Sequence, residues 1–107
     1  MTSDSWHELS GFDPDGDKFP QRAQMGEEMI LVFKTAKGFR GVERACPHLK
    51  ASLHDAILMA NDTVLRCSLH NFTYKLSTGK GVNSPSFTLR VYEIKVEDGV
   101  GYASAAN

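Results

Sequence analysis

The sequence predicts an all-β fold, an antiparallel β-sandwich carrying a small inserted lobe at about 46–85. Three observations support it. Short runs rich in Val, Ile, Leu, Phe, Tyr and Thr recur between Gly, Asp, Asn and Pro signals. Apolar residues do not recur at helical spacing anywhere along the chain. Both cysteines and three of the four histidines lie between two predicted hairpins, so the ends of the chain enclose a segment of different character.

The elements follow in order. Residues 6–9 read as an edge strand. Asp13-Pro14-Asp15-Gly16-Asp17 is a turn cluster whose side chains cap local backbone groups. A calcium loop of the EF-hand kind needs Gly at its sixth position and Glu at its twelfth; counted from Asp13 these are Lys18 and Gln24, so calcium is not expected. Residues 19–25, 28–34 and 39–45 read as consecutive antiparallel strands, the last two joined through Thr35-Ala36-Lys37-Gly38, a hairpin-length loop containing glycine. The run Met29-Ile30-Leu31-Val32-Phe33 is apolar on both faces, which places it centrally, between two layers. Residues 88–96 and 100–103 form a second hairpin around Glu97-Asp98-Gly99, with Asp-Gly as the turn signal. Between the hairpins, strands at 56–59 and 63–66 flank Ala60-Asn61-Asp62.

Composition narrows the function. The chain has 107 residues, which fits one domain over 1–107. Its 41% apolar and 23% charged residues are those of a globular protein, not of a disordered or fibrous one. A domain this small gains from a staple such as a metal centre. Twelve basic against thirteen acidic residues give a net charge of −1, with no basic face for nucleic acid. The first twenty residues hold no charged start followed by an apolar run, and no stretch reaches the ~18 apolar residues of a membrane span. A soluble, cytoplasmic protein with no membrane partner is expected. Asn61-Asp62-Thr63 and Asn71-Phe72-Thr73 fit the glycosylation sequon, but without a secretory signal they read as turn and loop residues.

Cys46 and Cys67 are the chain's two cysteines; in a reducing cytosol a disulfide between them is not expected, which leaves both available as thiolate ligands. Cys46-Pro47-His48 and Cys67-Ser68-Leu69-His70 are two short Cys/His pairs separated by the 18 residues 49–66. Each follows a predicted strand, which places one thiolate and one imidazole in each of two loops at the same end of a hairpin. Two centres suit such a set. One is a tetrahedral zinc; the other is a [2Fe–2S] cluster with histidines on one iron and cysteines on the other. Spacing alone does not separate them.

Together with Leu76-Ser77-Thr78-Gly79-Lys80-Gly81-Val82-Asn83-Ser84-Pro85, the two pairs resemble the cluster-binding region of Rieske-type ferredoxins. The resemblance implies that Cys46 and Cys67 bind the inner iron, that His48 and His70 bind an outer iron near the surface, and that the fold is a Rieske-like sandwich. It also implies that Leu53, in Ala51-Ser52-Leu53, shields the cluster and that Pro85 belongs to a loop covering it from a third side. Two positions depart from the family pattern, with Lys50 and Asn71 where glycine is common. Asn71 can hold a left-handed turn at modest cost. Lys50 would carry about 1–2 kcal/mol of strain if positive φ is needed there. His54 is not needed as a ligand and suits a contact with Asp55 or water; His7 reads as a surface residue.

Two neutral imidazoles leave an oxidised cluster with a charge of about zero, against about −2 for four thiolates, and so raise its potential into roughly −150 to +300 mV. The extra cysteine pair of respiratory-chain members is missing, and Phe72 stands at the position of their sulfide-bonding serine, although Tyr74 retains a hydroxyl that can donate to a cysteine sulfur. The negative end of the range is expected. The resemblance implies a one-electron carrier, not itself an enzyme, passing electrons from a flavin-containing, NAD(P)H-dependent reductase to a terminal, aromatic-ring-hydroxylating oxygenase. Its contacts would be small and transient, made around the His48 and His70 tip. Other readings are a small electron-transfer subunit of an assimilatory nitrite reductase, a zinc-stabilised binding module that would be colourless, and a redox sensor.

Overall fold

The computed structural model describes residues 6–36, 38–45, 52–59, 63–67, 72–82 and 87–106. Among them run nine strands: β1 (His7–Ser10), β2 (Gln21–Met25), β3 (Glu28–Thr35), β4 (Gly38–Glu43), β5 (Ile57–Met59), β6 (Val64–Arg66), β7 (Thr73–Lys75), β8 (Val91–Glu97) and β9 (Val100–Ala105). Their pairings are antiparallel, as the all-β reading expects. No helix among the described residues is long and apolar enough to cross a membrane.

β1, β2, β3, β4, β8 and β9 pair in that order and β9 returns to β1, so the two layers of the sandwich close into a barrel. β1 is therefore not the edge its sequence suggested. It pairs with β2 at Leu9↔Met25 and with β9 at His7↔Ala103. A short alternating pattern reports which side chains are buried, here Leu9, but not how many strands flank it. The expected hairpins form. β3 and β4 meet at Thr35↔Gly38, and β8 and β9 at Glu97↔Val100. Asp98 and Gly99 lie between the latter with φ of 54° and 79°, the two left-handed residues that match a tight turn to strand twist. The Asp13 cluster also behaves as expected: its carboxylate accepts from the Asp15 amide at 3.0 Å, and its carbonyl from Gly16 at 3.0 Å.

β3 is apolar on both faces because each face meets a separate core. Ile30 and Val32 point into the barrel, with Leu9, Ala23, Tyr92 and Ala103. Leu31 and Phe33 point out of it, into a second core shared with Val42, Leu65, Tyr74 and Val91. The register carries this division across the wall, pairing Leu31 with Val42 and Val42 with Val91. On the inner side Gly41 is closely packed: an added Cβ would stand 3.1 Å from Tyr92 Cβ and from Ile94 Cδ1, a contact the neighbours would have to relax to admit.

The inserted lobe is the three-stranded sheet β5-β6-β7. Strands expected at 56–59 and 63–66 are present as β5 and β6, joined through Leu58↔Leu65. β7 was not anticipated, since three residues following a Cys/His pair are too few to show a period. Leu58, Leu65 and Tyr74 line up across the sheet and turn toward the barrel wall. Arg40 crosses from that wall to the lobe: its Nε donates to the Leu76 carbonyl at 2.8 Å and its Nη2 to the Ser77 carbonyl at 3.1 Å. Arg40→Ala should cost about 2 kcal/mol, the scale of part-buried hydrogen bonds from a charged donor. Thermal unfolding should show a Tm lower by about 10 °C, with Arg40→Lys recovering part of the loss.

Candidate metal centre

The bases of three segments, 46–51, 68–71 and 83–86, are placed by strands of the lobe sheet and the residues flanking it. The row that marks one end of this sheet runs from Ile57, the first residue of β5, to Arg66, the last of β6, and Thr73, the first of β7. Val82 extends the row by donating its amide to the Thr73 carbonyl at 2.9 Å. Segment 68–71 departs after Cys67 and returns at Phe72, and the Cys67 amide closes its base on the Phe72 carbonyl at 2.8 Å. Segment 83–86 departs after Val82, and its base is closed by Gly81 donating to Phe87 at 3.1 Å. Segment 46–51 departs after Ala45, which bridges Ser52, while the Leu53 amide donates to Arg44 at 2.8 Å. A turn closed by Ala56 on Leu53 at 3.0 Å then leads into β5 at the same row. Both Cys/His segments and the segment containing Pro85 are therefore rooted together.

Of the four expected ligands, Cys67 lies within the described residues. It is fully buried and belongs to the core between lobe and barrel. Cys46, His48 and His70 lie outside the described residues, as do Lys50, Ala51, Asn71 and Pro85. Among the described residues no three metal-binding side chains come together. Leu53, the expected shield, is fully buried in the same core as Cys67, and so is Tyr74. Phe72 is half-buried, its ring 6.2 Å from that of Phe87. His54 behaves as the sequence suggested: it is partly exposed and its Nδ1 stands 3.7 Å from the Asp55 carboxylate. His7 is exposed on β1.

The root of the first segment is braced by a polar group that the sequence did not reveal. Glu43, at the end of β4, accepts the Arg90 amide on its Oε2 at 2.7 Å and donates its own amide to the Arg90 carbonyl at 2.9 Å. Arg90 reaches Glu28 at 3.4 Å, an exposed ion pair of little energetic weight. Burial raises the Tyr92 hydroxyl above its ordinary pKa, and the nearby Glu28 carboxylate adds to the rise. Residues 43 and 90 are far apart in sequence, and no motif links them.

The chain matches the family model for the Rieske [2Fe-2S] domain over residues 7–93. It is 32% identical over 75 residues to the ferredoxin component of the alkene monooxygenase system of Xanthobacter autotrophicus, covering 70% of this chain and 61% of that protein. It is 31% identical over 70 residues to the ferredoxin subunit of methanesulfonate monooxygenase of Methylosulfonomonas methylovora, covering 65% of this chain and 56% of that one. The alignments thus span about three-fifths of the length of these relatives. A solved complex of reduced oxygenase and oxidised ferredoxin in carbazole 1,9a-dioxygenase contains a chain of the same fold, with a TM-score of 0.69 at 23% identity, covering 98% of this chain and 96% of that one. The chain belongs to the Rieske [2Fe-2S] domain family. Its cofactor is a [2Fe-2S] cluster, which takes the place of the zinc reading.

The burial of Tyr92 predicts an alkaline limit. A phenol whose pKa is raised by folding stabilises the fold fully below its unfolded value near 10 and loses that contribution as pH rises toward the folded value. Stability measured by denaturant unfolding should therefore fall from about pH 10 upward. Tyr92→Phe, which removes the titrating hydroxyl, should flatten that fall.

Proposed function

We propose that this protein is a one-electron carrier whose [2Fe-2S] cluster is held by Cys46 and Cys67 on the inner iron and by His48 and His70 on the outer iron. The observation that carries the reading is the common root of segments 46–51 and 68–71 at one end of the lobe, in a chain of the Rieske family. The donor set suits the group: thiolates and imidazoles in equal number match a cluster with one sulfur-ligated and one nitrogen-ligated iron. When bound, the cluster supplies reversible one-electron chemistry without transfer of a heavy atom.

The protein residues hold, insulate and tune. Cys67 follows Arg66 onto the inward face of the sheet, so its sulfur belongs to the apolar core. Leu53 and Tyr74 keep that side free of water. The histidine-bearing segments are rooted at the end of the lobe away from the Arg40 clamp. The chain as a whole, 1–107, is read as one such domain working in a reducing cytoplasm. Its electrons would come from a flavin-containing, NAD(P)H-dependent reductase and pass to a terminal oxygenase; in support of the second step, the two named relatives are ferredoxin parts of monooxygenase systems.

An absorption spectrum, electron paramagnetic resonance after dithionite reduction, and iron and sulfide assays on one sample test the proposal. Visible bands that bleach on reduction and a rhombic signal of low average g are expected; a colourless protein with stoichiometric zinc would refute the carrier. Cys67→Ser should lose most of the iron and sulfide, and a variant keeping both would remove Cys67 from the ligand set. His54→Ala should leave the spectrum unchanged. A redox titration should give a midpoint near the negative end of the histidine-ligated range, about −150 mV, because Phe72 offers no hydroxyl and the chain has no further cysteines for a loop disulfide.

A further inference from the structure

The lobe sheet has a second face, turned away from the barrel. Residues paired directly across antiparallel strands share a face. Ile57, Arg66 and Thr73 form one row on the outward side, and Met59, Val64 and Lys75 form the next. Residues 80–82 run beside β7 through the Tyr74↔Gly81 bridge. Gly81 is buried and faces inward with Tyr74, so alternation sends Val82 and Lys80 outward beside Thr73 and Lys75. The face is four strands wide, about 14 Å at ordinary strand spacing.

Its composition is unlike the rest of the surface. Ile57, Met59 and Val82 are three of the four large apolar side chains exposed among the described residues, at 52%, 41% and 52% of their area. The charged positions of the array, Arg66, Lys75 and Lys80, are all basic. The imbalance extends to the whole lobe: residues 46–85 hold four basic and two acidic residues, while the remainder holds eight basic and eleven acidic. The chain is a dipole of about +2 on the lobe and −3 on the barrel. A near-neutral total conceals it.

We infer that this outward face of the lobe is the docking surface for a redox protein that presents an apolar patch ringed by carboxylates. The inference rests on the carrier reading and adds the partner's chemistry. Opposite charge would steer the lobe, not the barrel, toward the partner and raise the encounter rate. The few apolar side chains would hold a small interface of the kind transient redox pairs use. The row nearest the cluster segments contains Ile57 and Val82, so a partner seated there lies beside the point of electron exit. In the transfer one electron leaves the reduced cluster and reduces the partner's oxidised centre, and no bond is made or broken.

The test uses the full chain with its cluster reduced by dithionite and freed of excess reductant. Two haem proteins of opposite surface charge serve as probes, the acidic soluble domain of cytochrome b5 and the basic cytochrome c, followed by stopped flow. Transfer to cytochrome b5 should slow as salt is added, and transfer to cytochrome c should not. Lys75→Glu with Lys80→Glu should lower the cytochrome b5 rate constant about tenfold at low salt. Met59→Gln should lower it about threefold while leaving oxidation by ferricyanide unchanged. Both variants should keep the wild-type spectrum and iron content. Equal salt dependence with the two cytochromes, or a charge-reversed variant of normal spectrum and normal rate, overturns the docking surface alone. Co-sedimentation of the wild-type chain, but not the charge-reversed one, with phosphatidylserine vesicles would give the face to lipid and overturn it as well. A chain with no reducible cluster overturns the carrier reading and this inference together.

Discussion

The architecture depends on one constraint, a barrel wall that is apolar on both sides. β3, β4 and β8 send Ile30, Val32 and Tyr92 inward and Leu31, Val42 and Val91 outward. The outward set cannot be left to water, since each large side chain is worth roughly 1.5–3 kcal/mol when buried. The lobe is what covers it. Leu65, Tyr74, Leu76 and Cys67 pack onto those outward residues with almost no exposure, so the second core and the proposed cluster site are parts of one apolar unit. Arg40 adds direction to this burial by fixing which lobe carbonyls meet the wall.

With one face of the lobe anchored, its far end is placed. The three segments rooted there are closed at their bases by backbone hydrogen bonds and a bridge. Such closure needs no side-chain specificity, so it leaves the residue types within each segment unconstrained by the fold of their bases. On the barrel side, Glu43 holds the Arg90 backbone near the root of segment 46–51. The site is thus braced from the lobe below and from the barrel beside it. A carrier that changes charge gains from such rigidity, because less reorganisation accompanies each electron.

Charge is distributed by the same division. Covering the wall consumes the inward face of the lobe and leaves its outward face to water, where Arg66, Lys75 and Lys80 sit among exposed apolar residues. The acidic excess falls on the barrel. A sequence-wide net charge averages the two, and the separation is seen only once the lobe is known to be a distinct body on one side of the barrel.

Several features were legible in the sequence because their cause is local. Runs rich in Val, Ile, Leu, Phe, Tyr and Thr between turn signals marked most of the barrel strands, Asp98-Gly99 marked a turn that needs two left-handed residues, and a run apolar at every position marked β3 as covered on both faces. The two Cys/His pairs and the tail through Pro85 identified the family, which the match over 7–93 bears out. Other features depend on residues distant in sequence. Closure of the barrel requires β1 to meet β9, a pairing of residues at opposite ends of the chain. The Arg40 clamp, the Glu43–Arg90 brace and the mixed basic and apolar face of the lobe likewise join positions with no shared pattern. The sequence by itself named the expected donor types and the strands that root their segments, because ligand chemistry and strand composition act over a few residues. Which surfaces face one another was decided only by tertiary structure, because burial of the double-sided wall is a property of the whole chain.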